Sequence, residues 1–117
     1  MARKKNHNKI IFEEKIKDQL NVSLRRDLAD PRLVMASITR VELTADYSQA
    51  KVFWDTFDSD KRGDIKKAMD GVKGALRKIL ASELKVRHTP ELFLLYDSQF
   101  EDERKIEEIL ASEVKPD

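Results

Sequence analysis

The chain of 117 residues contains no cysteine, one tryptophan, three glycines and three prolines. Without cysteine there is no disulfide framework, no thiolate metal site and no cysteine nucleophile, a composition that fits a reducing compartment. Histidine is nearly as scarce, with His7 near the start and His88 beside Thr89-Pro90. Neither stands at a metal-ligand spacing, so no metal is expected. No apolar run approaches the roughly 18 residues of a membrane helix. The basic start is not followed by a signal-peptide apolar stretch, so no membrane partner is expected. Neither a P-loop nor a nucleophile elbow occurs, and the carboxylates are scattered over expected solvent faces. The expectation is a chain with no catalytic residues, no cofactor and no small-molecule substrate.

What is present is 40% hydrophobic and 38% charged residues. That allows one domain with a small core and a very polar surface. The apolar residues are too regularly spaced for a disordered chain. The net charge of +1 conceals an asymmetry. Residues 1–40 hold ten Lys/Arg against five Asp/Glu, residues 41–90 hold ten against eight, and residues 91–117 hold three against nine. A basic body with an acidic end suits a polyanion partner, and a solubilising surface with chance clustering accounts for it equally well.

Along the chain, residues 1–8 read as a basic flexible arm. From residue 9 to 28, Phe12, Ile16, Leu20, Leu24 and Leu28 recur every four positions and predict an amphipathic helix, stopped by Asp30-Pro31. Residues 34–43 and 50–57 predict two strands joined by a short turn, hence an antiparallel hairpin. Ile38 and Val41 fall on opposite parity, which predicts a bulge near Arg40. Val52 and Trp54 point one way and Phe53 and Phe57 the other. Phe53 and Trp54 are expected in the core rather than as base-stacking platforms. Asp58 to Asp60 reads as a helix entry. Ile65, Met69, Val72, Leu76, Ile79, Leu80 and Leu84 keep one helical phase, interrupted by Gly71 and Gly74, which predicts a kink or a break into two helices. Residues 92–96 predict a third strand. Ile106, Ile109, Leu110 and Val114 mark a final acidic helix. Three strands cannot bury themselves, so helices must cover at least one face.

Three basic groups stand out. Lys66, Lys73 and Arg77 share a helical stripe, with Lys78 beside them. Arg25, Arg26 and Arg32 surround the end of the first helix, and Lys85 and Arg87 lie in the connection before the last strand. These nine are the candidate phosphate contacts. A solvated helix face, and for the arginines a capped helix dipole, explain them as well. Gly71-Val72-Lys73-Gly74 would either bring backbone against a phosphate or only kink the helix.

The order α-β-β-α-α-β resembles a type II K-homology (KH) domain. The phrases Leu28-Ala29-Asp30-Pro31-Arg32-Leu33, Val41-Glu42-Leu43-Thr44-Ala45-Asp46, Ala50-Lys51-Val52-Phe53, and Thr89-Pro90-Glu91-Leu92 running into Tyr96-Asp97 narrow this further. In that order and spacing, from Ile10 to Leu110, they resemble the ribosome-binding factor A family. The resemblance implies an α+β fold, a single KH-like domain whose three-stranded sheet is covered by helices, plus a C-terminal helix. It places the RNA-binding domain at residues 9–97, and residues 98–117 as an acidic helix and tail packed on or flanking it. It also implies a monomeric, cytoplasmic, non-enzymatic assembly factor that binds the small (30S) ribosomal subunit and its 16S ribosomal RNA. Such a factor assists late maturation of that RNA, above all in the cold, and binds near the neck of the subunit. The family carries an Ala-x-Gly kink between its paired helices. Here Val72 stands at the alanine position and Gly74 at the glycine, while Gly71 completes a literal G-x-x-G. The alternative from another class is a protein-interaction module that docks a basic partner through its acidic C-terminal helix.

Overall fold

The first helix, α1 (His7–Arg26), carries its apolar stripe into the interior, with Ile16, Leu20 and Leu24 fully buried. Phe12 and Leu28 close the ends of that stripe, partly buried against the same core. The computed structural model describes residues 7–97 together with residues 106, 107, 109 and 110. Of the expected C-terminal helix, Ile106, Glu107, Ile109 and Leu110 are helical, and Val114 lies outside the described residues.

Asp30 stops the chain after α1 by accepting a hydrogen bond from the Arg32 N–H at 3.0 Å, with Pro31 opening a 3-10 turn over Pro31–Met35. Val34 belongs to that turn rather than to a strand. Three strands follow, β1 (Ala36–Leu43), β2 (Gln49–Thr56) and β3 (Glu91–Tyr96), in the spatial order β1-β2-β3. β1 and β2 form the expected antiparallel hairpin, and β3 pairs parallel to β2. A parallel neighbour demands a crossover, and α2 (Arg62–Leu84) supplies it.

The bulge falls at Thr39. Ile38 faces Trp54 and Arg40 faces Phe53, so one residue of β1 has no partner of its own. The extra residue lets Ile38 and Val41 point to the same face despite their opposite parity. The Thr39 hydroxyl donates to the buried Asp97 carboxylate at 2.7 Å, which ties the end of β3 to the bulge.

Both helices lie on one face of the sheet. On that face the rows Leu43–Ala50–Leu92 and Val41–Val52–Leu94 meet the helical stripes, and Trp54 is buried beside the Tyr96 ring. The other face carries Lys51, Phe53, Phe93 and Leu95. Phe53 therefore stands outside the core, with the Arg40 guanidinium 3.9 Å above its ring. Strand alternation forces this, since Trp54 takes the inner face and its neighbour must take the outer one. Phe57 lies beyond the end of β2 and is 95% exposed.

α2 is one uninterrupted helix. Asp58 caps the 3-10 turn Ser59–Lys61 that leads into it, as the acidic entry predicts. Backbone hydrogen bonding runs through Gly71, Val72 and Gly74, and no glycine has positive φ. The break into two helices does not occur, and residues 71–74 form no phosphate-gripping loop. The apolar phase explains this: Met69, Leu76 and Leu80 stay fully buried with Val72 packed against them, and a loop would break that seam.

The β1–β2 turn is held by Asp46. Its Oδ1 accepts from the Thr44 hydroxyl at 2.8 Å, the Ser48 N–H at 3.1 Å and the Ser48 hydroxyl at 2.8 Å. These bonds, the Ser48 hydroxyl first, lower the carboxyl pKa to about 2. A depressed folded-state pKa stabilises the fold above the unfolded value, and that contribution disappears as pH falls from about 4 toward 2. Thermal melts over that window should lose less midpoint in Asp46→Asn than in the unaltered chain.

Candidate nucleic-acid interface

Of the nine candidate cations, several are already engaged. Lys66 pairs with Asp70 one turn along at 2.9 Å. Arg26 pairs with Asp27 at 2.8 Å, and Arg32 forks onto Asp30 at 2.7 Å while reaching the Asp64 carbonyl at 3.4 Å. These hydrogen bonds hold Asp27 and Asp30 below the usual carboxylate range and raise both arginines above theirs. Arg25 donates to the Asn21 carbonyl at 3.0 Å and to the Ser37 hydroxyl at 3.2 Å. Exposed pairs of this kind stabilise little, but they cancel local charge.

Apart from Arg25, the candidates with no carboxylate beside them gather at the C-terminal half of α2 and the connection after it. Gly74, Arg77, Lys78, Arg87, His88 and Thr89 line an open cleft of about 500 Å³. One turn back, the Lys73 ammonium lies 5.1 Å from the Phe93 ring, a cation–π contact that leaves its charge intact. Lys78, Lys85 and Arg87 make no ion pair or side-chain hydrogen bond among the described residues. Lys85 ends α2 in a left-handed conformation (φ 51°), which turns the chain toward the wall of the cleft. Arg77 has a second task. Its guanidinium donates to the Thr89 carbonyl at 2.9 Å and to the Pro90 carbonyl at 3.2 Å, clamping the connection against α2.

The structure thus brings together Arg77, Lys78 and Arg87, with Lys73 one turn away. Arg32 sits beside the first turn of α2, roughly 20 Å of helix from the cleft at 1.5 Å per residue. Arg25 and Arg26 lie on the last turn of α1 and do not line it. The cleft sets guanidinium and ammonium groups around an exposed glycine, a chemistry that suits anions, and no His, Asp or Glu cluster among the described residues could hold a metal. None of the described helices is long and apolar enough to cross a membrane.

Gly71 and Gly74 are both exposed, and a Cβ added at either would meet nothing within 4 Å. Each costs about 1 kcal/mol relative to alanine within a helix. No packing among the described residues asks for that cost.

Sequence reasoning missed several polar anchors. Glu13 and Asn21 both hold the backbone of β1, Glu13 on the Leu43 N–H at 2.7 Å and Asn21 on the Ile38 N–H and carbonyl at 2.8 and 3.1 Å. The one available signal was a carboxylate at position 13, three residues before Ile16 and so on the apolar stripe itself.

Comparison with known proteins agrees with this architecture. The family model described as ribosome-binding factor A matches residues 8–110. The ribosome-binding factor A of Dechloromonas aromatica is 38% identical over 88 residues, covering 75% of this chain and 72% of that protein. That of Lactobacillus acidophilus is 35% identical over 107 residues, covering 90% and 88%. The crystal structure of ribosome-binding factor A from Thermus thermophilus superposes with a TM-score of 0.66 at 26% identity, covering 75% of this chain and 93% of that one. A homology model of the Thermus thermophilus factor, as fitted into a cryo-EM map of its 30S complex, superposes at 0.63 with 25% identity, covering 77% and 96%. With the matched fold and a family model spanning nearly all of the described residues, this chain belongs to the ribosome-binding factor A family.

Proposed function

We propose that this chain binds the small ribosomal subunit through its 16S ribosomal RNA, as a monomeric, cytoplasmic, non-catalytic factor that assists late maturation of that RNA, most needed in the cold. The carrying observation is the cleft of Gly74, Arg77, Lys78 and Arg87, where three of the candidate cations with no carboxylate partner line one surface. Family membership supports the subunit as partner, because the fitted Thermus thermophilus relative is described in a 30S complex. Lys and Arg on phosphates supply the affinity, and the shape of the RNA supplies the selectivity. Lys73 and Lys85 extend the cleft. Lys66, Arg25, Arg26 and Arg32 act only where RNA displaces their present partners.

The test is co-sedimentation with isolated small subunits, large subunits and joined ribosomes at two salt concentrations. Selective movement with small subunits is the expected result. Equal movement with all three, erased by salt, would reduce the cleft to a generic basic surface. No movement with any would favour the interaction module with its acidic C-terminal helix.

The two helical glycines give an independent check. Gly74 leaves the backbone open at the cleft, where a phosphate can approach closely. Gly74→Ala should raise stability by about 0.5–1 kcal/mol. The same change should weaken small-subunit binding. Calorimetric melts and co-sedimentation on one variant read both effects, and a more stable variant with unchanged binding would remove Gly74 from the contact.

A further inference from the structure

The connection 85–90 has a second cleft on its other side, of about 630 Å³, lined by Phe12, Asp46, Tyr47, Ser48, Arg87 and His88. The two clefts share Arg87, His88 and Thr89 as a common wall. Phe12 and Tyr47 stack at its edge, with ring centroids 5.8 Å apart and planes inclined by 25°.

Tyr47 is held with φ at 64°. This is the left-handed slot of the hairpin turn, where glycine or asparagine sits without strain and an aromatic residue does not. Backbone strain of this kind gathers at ligand sites, where it fixes a side chain in place. Here it sets a half-buried tyrosine ring, stacked on Phe12 and packed against the core, in the lining of the cleft. Asp46 adds direction. Its hydrogen bonds from Thr44 and Ser48 all fall on Oδ1, and Asp46 lines the cleft together with Tyr47, so Oδ2 is the oxygen left to accept from a bound base.

We propose that this second cleft takes one unpaired RNA base bearing an exocyclic amino group, stacked on the Tyr47 ring and read by Asp46 Oδ2, while its flanking phosphates lie on Arg87 and Lys78. The proposal rests on the RNA-binding reading above and specifies what kind of RNA the site takes. A base in a duplex cannot enter, because both its faces and its amino group are occupied; an unpaired one can. An aromatic ring accepts any base, whereas a carboxylate oxygen favours an exocyclic amino group with two N–H donors over the single ring N3–H of uracil, which lies between two carbonyl oxygens that repel it, and so favours adenine or cytosine over uracil.

The experiment uses the full chain and short end-labelled oligo(A), oligo(C) and oligo(U) in equilibrium anisotropy, beside co-sedimentation with small subunits. The unaltered chain should bind oligo(A) and oligo(C) about tenfold more tightly than oligo(U). Tyr47→Asn, which tolerates the left-handed backbone, should lose about tenfold on oligo(A) and oligo(C), and Tyr47→Phe should lose nothing. In Asp46→Asn three donors hold the amide oxygen at the Oδ1 position, so the amide N–H₂ takes the place of Oδ2. The preference for amino-bearing bases should then vanish or turn toward uracil. A chain that moves with small subunits yet binds all three oligonucleotides alike, or none, overturns the base site and leaves the RNA reading standing. An Asp46→Asn variant with unchanged preference does the same. Loss of small-subunit binding by the unaltered chain would overturn the RNA reading itself.

Discussion

A chain carrying Lys78→Glu and Arg87→Glu is expected to bind small ribosomal subunits about a hundredfold more weakly at about 0.1 M salt, because each cation lost from a phosphate forfeits roughly one decade of counterion-driven affinity there. The slope of log affinity against log salt should become shallower by about two. Folding should be untouched, since both side chains are exposed and neither holds a partner among the described residues. That separates them from Arg77. Its replacement would also release the Thr89 and Pro90 carbonyls, so a loss there mixes charge with geometry. Lys66→Glu is the matched control. Lys66 carries the same charge on the same helix but is paired with Asp70, and its reversal should weaken binding far less. Sedimentation across a salt series measures all three. An unchanged slope in the double variant would place the RNA on another face.

Much of this arrangement was legible in the chain itself. A residue every four positions from Phe12 to Leu28 can bury one face only as a helix, and α1 does so. The parity conflict between Ile38 and Val41 has one cheap resolution, an extra residue, and Thr39 is that residue. The seam from Ile65 to Leu84 outweighed two glycines, because burying Met69, Leu76 and Leu80 together offsets more than the roughly 1 kcal/mol each glycine costs. Lys66, Arg26 and Arg32 pair with residues one to four positions away, Asp70, Asp27 and Asp30, so those pairs were within reach of the sequence. What sequence could not show was pairing across the fold. Arg77 looks like a phosphate ligand until the chain folds back and offers two carbonyls. Phe53 looks like core because its hydrophobicity says nothing about which face the strand gives it. Tyr47 gave no signal, since left-handed backbone at a tyrosine is a property of the turn and not of the residue.

The largest stability effect is expected from a pair of helix residues that touch no RNA. β1 is an edge strand, and side chains of α1 meet three of its outer backbone groups. Asn21 meets both the N–H and the carbonyl of Ile38, and Glu13 meets the N–H of Leu43. The helix positions run from 13 to 21 as the strand positions run from 43 to 38, so α1 runs antiparallel to β1 across the sheet face and two of its side chains hold the edge backbone, as a neighbouring strand would. Asn21→Ala strands two partly buried groups and Glu13→Ala strands one buried group. At about 1–3 kcal/mol for each of the three stranded groups, the double variant should lose about 3–9 kcal/mol, toward the low end because two of them are only partly buried. A domain of this size holds about 5–15 kcal/mol in all, so the loss is near the limit of folding. The two sites serve different backbone groups, and their costs should add. Glu13→Gln keeps an acceptor for Leu43 and should cost little. Asn21→Asp keeps the acceptor for the Ile38 N–H but sets a carboxylate against its carbonyl, and should be as harmful as alanine. Urea unfolding followed by the single buried Trp54 reads each variant, and an Asn21→Ala midpoint equal to that of the unaltered chain would sink the strand-mimic argument. The uncovered edge should also draw copies of the variant together, because open strand edges pair with one another, so sedimentation at rising concentration should show self-association in the double variant and none in Glu13→Gln.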